Sequence, residues 1–346
     1  MTPYSKILIR ATNWIGDAVM SIPALAAIRR RFPKAEIVVL ARPWVADIYA
    51  DESSIDRVIP YHAARGLRDW AAKWTLAGEL RRERFDCAIL LQNAFEAALL
   101  VRLAGIPKRI GYDRDGRGWL LTDAVNVPKP GDIPRHERFY YLELLRRAGI
   151  VDAIPESDAI RLEGAREAAE RGAARFGELG IRLPTIGVSP GAAYGGAKRW
   201  LADGFAEAAC RIAVEHGASV VLFGAEPERP LCDQIAESVR ARGLPAVNLA
   251  GRTTLREFID LAAACRLFLT NGSGAMHIAS AVGVRTVAIF GATDELATGP
   301  TGSLARVVRE SVECSPCLFR ECPIDHRCMT RVTPDRVADV ALELLR

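Results

Sequence analysis

Three short segments of the chain combine glycine with acidic, basic or hydroxyl residues at spacings suited to a phosphorylated ligand. The first, Arg10-Ala11-Thr12-Asn13-Trp14-Ile15-Gly16-Asp17, leaves the apolar run Ile7-Leu8-Ile9 and enters an amphipathic stretch. Asp17 is there either the N-cap of a helix or a carboxylate able to take a proton from a hydroxyl. Only Gly16 of a G-x-G-x-x-G fingerprint is present, so nicotinamide dinucleotide binding is poorly supported. The second segment runs Ser189-Pro190-Gly191-Ala192-Ala193-Tyr194-Gly195-Gly196-Ala197-Lys198-Arg199-Trp200. Its small residues let backbone N–H groups approach an anion, and Lys198 and Arg199 add charge. The alternative is a surface loop with a solvated basic pair. It lacks G-x-x-x-x-G-K-[ST], so it is not a nucleoside triphosphatase loop.

The third segment, Thr270-Asn271-Gly272-Ser273-Gly274-Ala275-Met276-His277, ends a strand-like run and opens a helix-like one. Unpaired N–H groups and the dipole at such a terminus suit a diphosphate. His277 either donates to a phosphate oxygen or is structural. Gly291-Ala292-Thr293-Asp294 and Phe223-Gly224-Ala225-Glu226 repeat the strand-to-turn pattern. Glu226 could accept from a ribose, and either acid could equally cap a helix.

Cysteines raise a separate question. Four lie close together as Cys314-x2-Cys317-x4-Cys322-x5-Cys328, while Cys87, Cys210, Cys232 and Cys265 are scattered among apolar residues and read as small core side chains. The clustered thiols and His326 could supply a structural zinc site, although the spacing is not paired C-x2-C. A reduced or disulfide-bonded loop is the other reading.

The elements that must position these segments alternate strand-like and helix-like. In the first half the expected strands are Ile7 to Ile9, Glu36 to Leu40, Asp56 to Pro60 and Cys87 to Leu91. The expected helices are Ala18 to Arg31, Leu67 to Arg84 and Arg135 to Ala148, and Gly111 to Pro134 reads as a long loop. A second series starts near Thr185, with strands at Thr185 to Ser189, Ser219 to Phe223, Ala246 to Leu249, Leu267 to Thr270 and Thr286 to Phe290. The expected fold class is α/β, two doubly wound Rossmann-like domains with a cleft between them. The boundary falls within or just after Ile150 to Leu183. It is taken here as 1–175 and 176–333, with 334–346 a final amphipathic helix.

Length and charge agree with two ordinary globular domains. The chain has 346 residues, and 46 Lys+Arg against 42 Asp+Glu give a net charge of +4, which makes no case for nucleic acid. No apolar run approaches the ~18 residues needed to span a bilayer. The N-terminus does not read as a signal peptide, so a cytoplasmic protein is expected.

Taken together, Arg10-x2-Asn13-Trp14-Ile15-Gly16-Asp17 with Met20-Ser21-x-Pro23-Ala24-Leu25, Pro190-Gly191 through Ala197-Lys198-Arg199-Trp200, Asn271-x-Ser273-Gly274-x-Met276-His277 and Phe290-Gly291-Ala292-Thr293 resemble the bacterial ADP-heptose:lipopolysaccharide heptosyltransferases, most of all the heptosyltransferase II branch. The resemblance implies a GT-B fold, with the acceptor on the first domain and ADP-heptose on the second. It also implies an inverting transfer to the lipopolysaccharide inner core that requires no cofactor, and a last helix that packs back on the first domain. Asp17 then matches the base. Lys198 matches the basic residue that offsets charge as ADP leaves. Gly16, Gly191, Ala192, Arg199, Glu226, Asn271, Ser273, Gly274, His277 and Thr293 fall at the donor. Asn13 and Trp14 fall on the acceptor side.

Arg65 and Arg68, with Lys73, Trp70 and Trp74, lie where a lipid-linked anionic oligosaccharide would dock, with peripheral contact to the inner membrane. The alternative is a solvated helix whose tryptophans pack inward. The chain departs from the family's Asn-Asp-Ser-Gly at Gly272, and the missing carboxylate bears on donor affinity and sugar preference. Two other functions remain open on the sequence: a sugar-nucleotide-binding protein without catalysis, and a related transferase or epimerase using another nucleotide sugar.

Overall fold

The computed structural model describes residues 4–62, 69–155 and 159–346. They form two compact units, Met1–Ser157 and Asp158–Arg346. The first is built on β1 (Lys6–Arg10), β2 (Glu36–Ala41), β3 (Arg57–Pro60), β4 (Cys87–Leu90), β5 (Lys108–Tyr112) and β6 (Asp123–Val125). The second is built on β7 (Thr185–Ser189), β8 (Ser219–Leu222), β9 (Ala246–Asn248), β10 (Leu267–Asn271), β11 (Arg285–Phe290) and β12 (Ala305–Arg309). Each sheet is wholly parallel, in the orders β3-β2-β1-β4-β5-β6 and β12-β11-β10-β7-β8-β9. Counted from its own first strand, the second sheet repeats the order of the first.

Central strands of such a sheet are covered on both faces, so their sequences are continuous apolar runs rather than alternating ones. Ile7, Leu8 and Ile9 are completely buried, and Ile9 stands in register with Val39 on one side and Ile89 on the other. In both sheets the strand order reverses beside the first strand, between β1 and β4 and between β7 and β10. Ligands of open α/β sheets bind at the carboxyl ends of the strands flanking that reversal. The Arg10–Asp17 segment follows β1, the Pro190–Lys198 segment follows β7, and Gly272-Ser273-Gly274 follows β10.

Several expectations need correction. The stretch from Gly111 to Pro134 is not all loop, because it holds the end of β5 and the whole of β6. The division between units falls before the Ala165–Glu178 helix, not at residue 175. That helix belongs to the second unit because Gly172, with no side chain, lets it lie directly on the backbone of Asp260. Arg171 then reaches Asp260 with two bonds, at 2.7 and 3.0 Å.

The Pro334–Leu345 helix is part of the second unit rather than a separate segment. It lies on the Ala202–His216 helix and on β11 of the second, with Val337, Ala338, Ala341, Leu342 and Leu345 in that unit's core. Arg211 pairs with Asp335 and Asp339 at its outer edge. Its apolar stripe thus finds its partner within the unit that it ends.

Candidate functional site

In the first unit, Asp17 is the third residue of the Ile15–Arg31 helix, and the N-cap is Trp14. The capping reading of Asp17 therefore fails, and its carboxyl lies in the positive first turn of the helix. The loop before it is held from beneath. Buried Arg10 donates through Nη1 to the Ala11 carbonyl at 2.7 Å and through Nη2 to Asn13 Oδ1 at 3.2 Å, while Trp44 Nε1 donates to the Asn13 carbonyl at 2.8 Å. Arg10 shares its surroundings with Arg42, Tyr61 and Glu96. Burial, then the neighbouring Arg42 charge, lower its guanidinium to about 10.

The groups around Asp17 were not visible in the sequence. The helix Arg138–Arg147 packs on the Ile15–Arg31 helix and brings Glu137 and Tyr141 to it. Burial, then the Asp17 charge, raise the Glu137 carboxyl; the same two causes push the Tyr141 phenol well above its usual range. Burial also pushes Tyr49 up to about 12. No local motif marks Glu137. Its proximity to Asp17 comes from helix packing across more than a hundred residues of chain.

Expectations about the acceptor side divide. Arg65 and Arg68 lie outside the described residues. Lys73 is buried, with Nζ 3.9 Å from Glu96 Oε2, so it is no solvated cation. Trp70 and Trp74 are exposed rather than packed inward, because the buried face of their helix is made by Lys73, Leu76, Ala77 and Leu80.

In the second unit the turns after neighbouring strands do come together. Asn271, completely buried at the end of β10, accepts from the Trp200 amide at 2.9 Å and donates to the Pro190 carbonyl at 2.6 Å. One side chain thus fixes both ends of the 190–200 loop. Lys198 reaches across to the Gly272 carbonyl at 3.5 Å, which sets its ammonium at the entrance of the Gly274–Ala281 helix. Ser273 is the N-cap of that helix without capping it through its hydroxyl, which meets Thr270 Oγ1 at 3.3 Å instead. His277 lies in the first turn and is buried. Arg199 is exposed and points back to the Ala192 carbonyl at 3.5 Å.

Of the two acids after β8, Glu226 is exposed and pairs with Arg229 at 3.3 Å. Glu228, which the motif reading passed over, turns inward and accepts from the Ala225 amide at 2.8 Å. Its carboxyl fills the space that a Cβ on Gly191 would need, and it also packs against Gly224. Asp294 caps the short turn that follows it, accepting from the Leu296 amide at 3.0 Å, and Thr293 lies beside it.

The cysteine segment is stitched to these turns. Tyr194 Oη donates to the Leu318 carbonyl at 2.8 Å, the Ala197 amide to the Arg320 carbonyl at 2.9 Å, and the Gly196 amide to Glu321 at 2.9 Å. On the other side Leu318 donates to the Ala292 carbonyl at 2.8 Å and Ser315 to that of Gly291 at 2.6 Å. Cys314, Cys317, Cys322 and Cys328 are free thiols. The first three add to burial in raising the thiol of Cys328. Among the described residues, no group of three His, Cys, Asp or Glu is placed to hold a metal ion. Nor is any helix of these residues long and apolar enough to cross a membrane.

Comparison with known proteins agrees with this architecture. Residues 73–327 match glycosyltransferase family 9 (heptosyltransferase). The chain is 32% identical to lipopolysaccharide heptosyltransferase 2 of Escherichia coli over 88% of each chain, and 29% identical to lipooligosaccharide heptosyltransferase 2 of Haemophilus ducreyi over 98% and 99%. The solved structure of the E. coli ADP-heptose lipopolysaccharide heptosyltransferase II superposes with a TM-score of 0.83 at 28% identity, covering 98% of both chains. An iron-containing dodecameric glycosyltransferase of enterotoxigenic E. coli shares the fold at 15% identity and a TM-score of 0.56. With the family matched across most of its length and its two doubly wound sheets superposing on a solved member, the chain belongs to glycosyltransferase family 9 and is a glycosyltransferase.

Proposed function

We propose that this enzyme moves a heptose from ADP-heptose to a hydroxyl of the lipopolysaccharide inner core, with inversion at the anomeric carbon and Asp17 as general base. Asp17 takes the acceptor's hydroxyl proton as the oxygen forms its bond to the anomeric carbon. The bond from that carbon to the β-phosphate oxygen breaks, and ADP leaves with the electron pair. Lys198 and the amide groups at the start of the Gly274–Ala281 helix offset the charge that develops on the diphosphate. Protonated Asp17 then releases its proton to water.

The observation that carries this reading is the position of Asp17. It stands in the first helical turn after β1, at the reversal of the strand order, three residues beyond the N-cap position held by Trp14. Replacing it tests the role directly. Asp17→Asn should lower turnover by about 10²–10⁴-fold, the usual contribution of a positioned base, while ADP affinity stays at the wild-type level. A variant with full rate removes Asp17 from the chemistry.

Gly272 favours a second reading, a sugar-nucleotide-binding protein that does not catalyse transfer, because no carboxylate stands at that turn. Calorimetry with ADP-heptose beside a transfer assay separates the two. Tight binding without transfer selects the second.

A further inference from the structure

We propose that the cysteine segment is part of the donor site, and that Arg320 is a second cation for the donor diphosphate, acting beside Lys198. The inference rests on the donor reading above. It begins with Tyr194, at the exposed tip of the loop after β7. Lys198 Nζ lies 4.8 Å from the centre of the Tyr194 ring and Arg320 Cζ lies 5.4 Å from it. Two cations, distant in sequence, are thus gathered on one aromatic side chain.

The backbone of Arg320 is fixed against this loop. Its carbonyl accepts from the Ala197 amide, and its backbone fills the space that a Cβ on Gly195 would occupy. Leu318 and Glu321 on either side are each bonded to the same loop. The Glu321 carboxylate, the nearest acid in sequence, is engaged with the Gly196 amide. Arg320 itself forms no ion pair with any described residue.

Guanidinium groups suit phosphate oxygens, which they meet with paired donors. A cation held at the rim of a loop whose Lys198 reaches the Gly272 carbonyl, just before a helix start, is placed for a ligand with two adjacent phosphates. The absence of a carboxylate at Gly272 leaves this corner without a negative charge from that turn. A dianionic diphosphate is the complement that such a corner lacks. The cysteines then have a structural part in the site: Cys328 packs its Sγ 2.7 Å from where a Cβ on Gly291 would stand, which seats the segment on the turn after β11.

The test is calorimetric titration of wild type and Arg320→Ala with ADP, adenosine and inorganic pyrophosphate. Arg320→Ala should weaken ADP and pyrophosphate by about 10-fold, leave adenosine unchanged and leave the melting temperature unchanged, with Arg320→Lys recovering part of the loss. Equal ADP and pyrophosphate affinities in the two proteins overturn the proposal while leaving the ADP-sugar reading intact. A wild type that ignores ADP overturns that reading instead; a pyrophosphate difference between the proteins would still support Arg320, and no difference would reject it too. An equal loss for adenosine would mean a general disturbance of the loop and would also reject the diphosphate role.

Discussion

The ring of Phe290 occupies the space where a side chain on residue 272 would begin: its Cζ lies 2.7 Å from the position of a Cβ on Gly272. The aspartate that the sequence resemblance leads one to expect at this turn is therefore not merely absent here. The neighbouring strand has closed the space it would use, and Phe290 is almost completely buried at the end of β11.

Restoring the acid should consequently harm the protein. Gly272→Asp forces the ring of Phe290 to move, and overpacking of this kind costs about 1–3 kcal/mol. Denaturant unfolding would record the loss, and a Phe290→Leu background should recover most of it. A Gly272→Asp protein as stable as wild type would mean that the ring yields freely.

Asn271 clamps both ends of the 190–200 loop. Asn271→Ala leaves the Trp200 amide and the Pro190 carbonyl without their partner, at a cost of about 2–4 kcal/mol for two buried groups. The same change should weaken ADP, since both ends of the loop carrying Lys198 are released. Unfolding midpoints within experimental scatter of wild type would contradict the clamp.

Glu137 carries a pH signature. Burial and the Asp17 charge raise its folded-state value above the unfolded one, so the folded protein holds that proton more tightly. Such a group has no effect on stability below its unfolded pKa of about 4.3, and it becomes destabilising as pH rises through the folded value. Glu137→Gln should match wild type near pH 4 and exceed it at pH 7.5. Denaturant midpoints across that range decide the matter, and a difference that does not grow with pH would be inconsistent with a raised carboxyl.

The two acids after β8 should behave differently. Glu228→Ala empties the space under Gly191 and frees the Ala225 amide, and donor KM should rise by about 10-fold, the usual size for one hydrogen bond to a charged group. Glu226→Ala, at an exposed pair with Arg229, should stay within about twofold. Initial-rate kinetics on both variants give the answer, and the reverse ranking would return Glu226 to the donor site.

What the sequence made legible follows the range of the physics involved. Asp17, Lys198 and Ser273 lie at strand-to-helix turns, whose apolar runs and glycines are local signals, and the structure puts all three at the carboxyl ends of central strands. β5, with Lys108, Arg109 and Gly111 among its five residues, has too little apolar character to stand out beside a loop rich in glycine and proline. Glu137 meets Asp17 only through the packing of one helix on another. The choice between Glu226 and Glu228 depends on which way a single turn faces. For the cysteine segment, spacing suggested a metal and hid a mechanical connection: backbone amides and carbonyls, common to every residue, are what bind it to the 190–200 loop.

The distribution of tryptophan gives this enzyme a built-in optical division of labour. Of six indoles, Trp14, Trp44, Trp70, Trp74 and Trp119 are at least 45% exposed and all belong to the first unit, whereas Trp200 is 2% exposed. A soluble quencher should extinguish the first five and spare the sixth. The residual blue-shifted emission would then come from two residues beyond Lys198, so that occupation of the nucleotide loop could be followed by fluorescence without any added label.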